Sequence, residues 1–294
     1  MFKKLENSLK RVLKGKVKIT LALVISYLMT AQIGYSINLI HDEYNNEQNV
    51  IINDNYIKNN ENTNYQYILG VIYDSSLEIN SKEINIVNNS NGDEVNKKEI
   101  SAIVVSENSH LKLGNEETEN VNLKVNTDKG VATGIAMYNL DEADRGGSLE
   151  INGKNFTLDV HATGEGSNKA TFGILVGSKA DKDGQNCEVN INSENTEINV
   201  TSDSGLSYAA NALVAWGGGT IRLNSGNVKI SADNVINVKR NSFVEINANS
   251  LDNIIQLDGS IVFECVDPST DIDSDVVVNL TNSNSYLNGN ILVT

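Results

Sequence analysis

Leu149-Glu150-Ile151-Asn152 is answered 40 residues later by Val189-Asn190-Ile191-Asn192, and both tetrapeptides have one design. Two apolar side chains are separated by one polar residue and closed by Asn. Such alternation has period two, which puts the apolar pair on one face of a strand and the polar residues on the other. The phrase recurs as Leu77-Glu78-Ile79-Asn80, Ile221-Arg222-Leu223-Asn224 and Val244-Glu245-Ile246-Asn247, and once with Gly in place of Asn, as Leu111-Lys112-Leu113-Gly114. Asn and Gly tolerate a left-handed backbone, so the closing position predicts a corner.

A second alternating strand follows each phrase, with apolar pairs at Ile84/Ile86, Leu123/Val125, Leu158/Val160, Ile198/Val200 and Val228/Ile230. The middle repeats add a third segment of small and apolar residues, Ala132–Met137, Ala170–Gly177 and Ala210–Gly217. Leu149, Leu158 and Ala170 are each matched 40 residues on, by Val189, Ile198 and Ala210. Recurrence of three strands at intervals of 23 to 40 residues predicts an all-β fold, a right-handed parallel β-helix (solenoid) with about three strands per turn. A sandwich or an up-and-down barrel also has many short strands, but neither requires every third strand to resemble the last. The polar stretches 139–147, 163–169 and 178–186 read as corner insertions. Six to seven turns stacked about 4.8 Å apart would give a rod on the order of 30 Å.

Composition narrows the function classes. The 294 residues carry 38 acidic and 23 basic side chains, a net charge of -15, which argues against nucleic acid as a partner. Two Cys and three His exclude a disulfide scaffold, a zinc module and a haem protein. Asn occurs 45 times; codon bias can raise its total, but its return to the same place in the phrase suggests amide ladders along the stack.

Charge is unevenly placed. Lys3, Lys4, Lys10, Arg11, Lys14, Lys16 and Lys18 face Glu6 alone, and an apolar run over Ile19–Ala31 leads to Gly34-Tyr35-Ser36. A basic region, a short apolar region and small residues at its end read as a helical signal segment over 1–36, shorter in its apolar part than a membrane span. Residues 37–75 read as a polar linker merging into an N-terminal cap, and 76–294 as the solenoid.

The opening Lys3–Lys14, running into Lys16-Val17-Lys18-Ile19-Thr20-Leu21, resembles the extended signal sequences of large autotransporter adhesins of Gram-negative anaerobes. The Leu-Glu-Ile-Asn repeats with a Gly/Ala third strand are similar to the passenger domains of that family. The resemblance implies export, display at the cell surface or outer membrane, and a carboxy-terminal translocation barrel as partner. No barrel-like run of long transmembrane strands follows Leu77, so the chain reads as a truncated passenger, a fragment, or a product delivered by another protein.

The search for chemistry yields no catalytic, cofactor-binding or metal residues. His41, His110 and His161 belong to no recognisable motif and read as exposed structural side chains. Asp141, Glu142 and Asp144 share one loop and Asp181 and Asp183 another; a glycosidase would need two carboxyls held across a sugar bond. Alternate acids in Asp267–Asp275 could converge on calcium, but the run lacks the Gly and distal Glu of an EF-hand and reads as a solvated corner. Cys187 and Cys265 fall about two turns apart, beyond disulfide reach, and read as free thiols. Trp216, followed by Gly217-Gly218-Gly219, reads as core or corner packing rather than a sugar-stacking platform. The expected function is a non-enzymatic adhesion or binding scaffold whose partner is a host or cell-surface glycan or protein. A secreted polysaccharide lyase or hydrolase and an inert surface spacer are the alternatives.

Overall fold

A computed structural model describes residues 42–61, 66–90, 99–106, 108–128, 130–139, 146–163, 171–178, 187–203, 209–248, 250–264 and 274–294. The expected signal segment, His41, Cys265 and the acids at 141–144, 181–183 and 267–273 lie outside them. The described residues form strands and no helix. The strands are β1 (Asp42–Asn45), β2 (Val50–Ile52), β3 (Tyr56–Glu61), β4 (Leu69–Ile72), β5 (Ser76–Ile79), β6 (Glu83–Ser90) and β7 (Glu99–Val105). They continue with β8 (His110–Leu113), β9 (Asn120–Thr127), β10 (Val131–Asn139), β11 (Ser148–Ala162), β12 (Thr171–Ser178), β13 (Glu188–Ser202) and β14 (Ala210–Trp216). The last are β15 (Thr220–Ser225), β16 (Asn227–Lys239), β17 (Phe243–Ala248), β18 (Ile255–Glu264), β19 (Asp275–Val278), β20 (Tyr286–Asn288) and β21 (Ile291–Val293). All join one 21-stranded sheet whose pairings are parallel.

The pairings fall into columns. In the first, Val50, Leu77, Leu111, Leu149, Val189, Ile221, Val244 and Val276 lie one above the next. A parallel row runs Ile52, Ile79, Leu113, Ile151, Ile191, Leu223, Ile246 and Val278. Both rows face a single apolar core, to which the other two columns add Leu123, Leu158 and Ile198 from one and Ile135, Ile174 and Leu213 from the other. A sheet whose strands all turn one face to the same core must curl around it. Because parallel strands leave no backbone donor or acceptor unpaired between neighbours, each layer supports the next. The third column is nine strands deep, from β1 to β21, which at about 4.8 Å per step is roughly 38 Å.

The segment read as linker and cap holds β1 to β4, and β1, β2 and β3 stack in parallel on β4, β5 and β6 as the later layers do on one another. Its polar sequence hides an inward position. Asn60 is fully buried and its Nδ2 donates to Oδ1 of the equally buried Asn88 at 2.8 Å. Asn88 Nδ2 in turn donates to the Ser101 carbonyl at 2.8 Å, and the row continues as Val125, Val160 and Val200.

Two sequence expectations need correction. The third strands align Thr171 with Ala210, a step of 39 rather than 40, so that Ile174 stacks on Leu213 and Val176 on Ala215. A register of 40 would have turned the inward side chains of one strand against the outward ones of the other. Nor do the phrase-closing Asn152, Asn192, Asn224 and Asn247 adopt positive φ; β11 and β13 run straight through that position. Left-handed residues cluster instead between the third and first columns, at Tyr73-Asp74, Asn108, Gly217-Gly218 and Arg240-Asn241. Gly114 does behave as expected, with φ +80° and no room for a Cβ, which would lie 2.0 Å from the Asn152 carbonyl.

Candidate binding surfaces

Asn at the first corner acts through its side chain. Asn192 Nδ2 donates to Asn152 Oδ1 at 3.1 Å, and Asn224 Nδ2 to Asn192 Oδ1 at 3.4 Å. Three residues further along the chain, a second ladder links Asn155 to Asn120, Asn195 to Asn155 and Asn227 to Asn195, each at 3.0 Å. A primary amide has two N–H donors and two acceptor lone pairs. A ladder bond uses one of each, so Asn192 and Asn195 in the middle of the ladders retain a donor and an acceptor, whereas Asn155 gives its second N–H to the Glu119 carbonyl at 3.3 Å.

Between the two ladders lies an open cleft of about 860 Å³, bordered also by Lys112, Glu150, Lys154 and Glu194. Lys154 Nζ meets Glu119 at 2.8 Å; this bond holds the Glu119 carboxyl below the usual range and lifts the Lys154 ammonium above its own. Glu78 is likewise held down, first by its hydrogen bond to Asn80 and then by that to Lys112. A glycosidase proton donor requires the opposite displacement. This corner presents a periodic row of amide and charged side chains to solvent.

The remaining sequence candidates are dispersed. His110 is exposed, with Nδ1 2.7 Å from Ser148 Oγ. His161 Nδ1 lies 2.8 Å from Thr201 Oγ1, with Asp203 3.7 Å from its other nitrogen. Of the acidic run 267–275, only Ser274 and Asp275 are described, and the Asp275 backbone N–H joins the Ser242 carbonyl at 2.9 Å. Among the described residues no group of three or more His, Cys, Asp or Glu is placed to hold a metal. Cys187 is buried as a free thiol, its pKa raised by burial.

Of the two placements expected for Trp216, core or corner, it takes the second, immediately before the left-handed Gly217-Gly218. It stands outside the core cluster, half-buried on the outer face of the third column, against Gly177, where a Cβ would lie 2.4 Å from the indole. With Phe172, Leu175 and Val214 it forms the apolar part of a second cleft, of about 480 Å³. Periodicity could not reveal this face. Ala212 and Leu213 are consecutive yet both fully buried, and a Cβ on Gly173 would meet Val200 of the core just before inward Ile174. The strict alternation breaks there, and outward residues change parity.

Parallel stacking, rows of like residues and ladders on the outer surface make one curled, all-parallel sheet, a β-solenoid-like fold. No protein family, no curated protein and no solved structure matches the chain.

Proposed function

We propose that the chain is an exported, surface-associated passenger of autotransporter type. In this reading it is a right-handed parallel β-helix with three strands per turn, acting as a non-enzymatic adhesion or binding scaffold. The observation that carries the reading is the pair of in-register amide ladders flanking the 860 Å³ cleft. Equivalent donors and acceptors repeat along the axis about every 4.8 Å, which suits an extended partner, either a host or cell-surface glycan or a protein segment. A site for one small substrate would have no use for that repetition. The resemblance of the amino-terminal segment and the repeats to autotransporter passengers supports export and dependence on an outer-membrane barrel for delivery.

The test uses fluorescently labelled protein on host epithelial cells and on immobilised glycans, beside the triple variant Asn155→Ala/Asn195→Ala/Asn227→Ala. Because these amides are exposed or half-buried, the variant should keep its circular dichroism spectrum and lose most of its binding. Equal binding by both proteins overturns the reading. Release of reducing sugar or unsaturated product from polysaccharides would replace binding by cleavage.

A further inference from the structure

A row of apolar side chains runs along the outside of the third column, Val104, Ala136, Leu175 and Val214. Toward the amino-terminal strands the row is covered, because Tyr67 packs on Ile72, Val104 and Ala136. Farther on it opens into the 480 Å³ cleft, and the next position is the amide of Asn237. The apolar floor thus passes directly into a polar wall.

That wall is a fixed network. Asn234 and Asn237 both donate to Asn211 Oδ1, at 3.0 and 3.3 Å. Asn237 Nδ2 also reaches Glu264 Oε1 at 2.6 Å, and Asn211 Nδ2 donates to the Ala209 carbonyl at 2.7 Å. Asn237 is only 7% exposed, yet its Oδ1 has no hydrogen-bond partner among the described residues, and neither has Trp216 Nε1. Buried polar atoms without partners cost about 1–3 kcal/mol each, and an external group, ion or water that completes the bonding removes that cost.

We infer that this cleft is a subsite for a neutral pyranose unit of a glycan, which deepens the scaffold reading and rests on it. A pyranose ring presents C–H groups on one face and hydroxyls around its rim. It therefore needs an aromatic or aliphatic platform beside amides that both donate and accept. Phe172, Leu175 and Trp216 supply the platform, and Gly177 gives the indole its seat. Asn211, Asn234 and Asn237 supply the amides. Charge selects the neutral class. Lys239 and Glu264 neutralise each other at 3.2 Å, and the chain's net charge of -15 repels uronic and sialic acids.

Trp216 is the chain's only tryptophan, so its emission reports on this cleft alone. The intact protein is titrated with maltose, cellobiose and lactose, and in parallel with glucuronic acid and N-acetylneuraminic acid. At least one neutral disaccharide should give a saturable change with a millimolar midpoint, about fivefold or more tighter than either acid. Phe172→Ala should weaken it about fivefold. Leu175→Lys, which fills the cleft from an outward position, should abolish saturation, while Ile57→Ser on the exposed face of β3 should not alter it. Linear responses to all three disaccharides, or saturation that survives Leu175→Lys, overturn the inference. So does saturation only by an apolar peptide such as Leu-Leu-Leu. Cell binding by the intact protein beside absent saturation by every disaccharide removes this subsite and leaves the scaffold reading in place.

Discussion

The buried amide pair at the amino-terminal end provides a quantitative check on the stacking. Asn60 and Asn88 are each 0% exposed and joined at 2.8 Å, in a row that Val125, Val160 and Val200 complete. Asn88→Val breaks both its bond from Asn60 and its own bond to the Ser101 carbonyl. With about 1 kcal/mol for each bond and a further penalty for stranding buried partners, the expected loss is about 3 kcal/mol. Asn60→Val leaves Asn88 anchored to Ser101 and should cost about 2 kcal/mol. The double variant carries valine in place of both amides and extends the apolar row. It should cost about 2 kcal/mol in total, far less than the two single losses added. Urea unfolding followed by circular dichroism gives all three values, compared at a common slope because stacked repeats need not unfold as one unit. Additivity within about 0.5 kcal/mol would refute the account, since it would mean that Asn60 and Asn88 do not depend on each other.

Ile151→Asp places a charge among fully buried side chains and should destabilise by more than about 3 kcal/mol, whereas Glu150→Lys on the exposed face should change stability by less than about 0.5 kcal/mol; equal effects in thermal melts would contradict the assignment of faces. Gly114→Ala forces a Cβ to within 2.0 Å of the Asn152 carbonyl at φ +80°, so a loss of about 2 kcal/mol or more is expected in the same assay, and an unchanged melting temperature would count against that backbone conformation. Burial, then Asp42 and Glu47, push the Tyr44 phenol up to about 12 from 10.0, and burial with Asp42 also raises Tyr56. The folded state therefore holds these protons more tightly than the unfolded one: stability should be intact below pH 10 and decline as pH rises through 10 toward 12, a decline that Asp42→Asn should lessen. Tyrosinate absorbance and melts at pH 8 and 11 would measure it, and identical melts would exclude the linkage.

The first column was readable because its phrase states the inward period without interruption, and Leu77, Leu149 and Val189 stand in the row the phrase implies. The third column was misread by one residue. At Gly173-Ile174 and Ala212-Leu213 successive residues both belong inside, and a pattern argument built on alternation has no sign for that. Residues 42–61 look like linker because their inward positions include an amide, Asn60, whose partner 28 positions later cannot be inferred locally. The recurrent Asn was correctly tied to side-chain ladders but wrongly to a left-handed corner, because a ladder bond satisfies the amide while the strand stays extended. The Trp216 cleft had no motif at all. Its members come from β12, β14, β16 and β18, and only the stacking brings them together.

The 40-residue register between β11 and β13 also has a genetic consequence. Excision of residues 149–188 would set Val189 directly after Ser148, giving Leu111 a valine neighbour in place of Leu149 and Ala132 an alanine in place of Thr171. Hydrophobic columns would close over the gap. Recombination between such sister segments can therefore lengthen or shorten the molecule by whole storeys, making reach a quantised trait that selection can adjust without redesigning the interior.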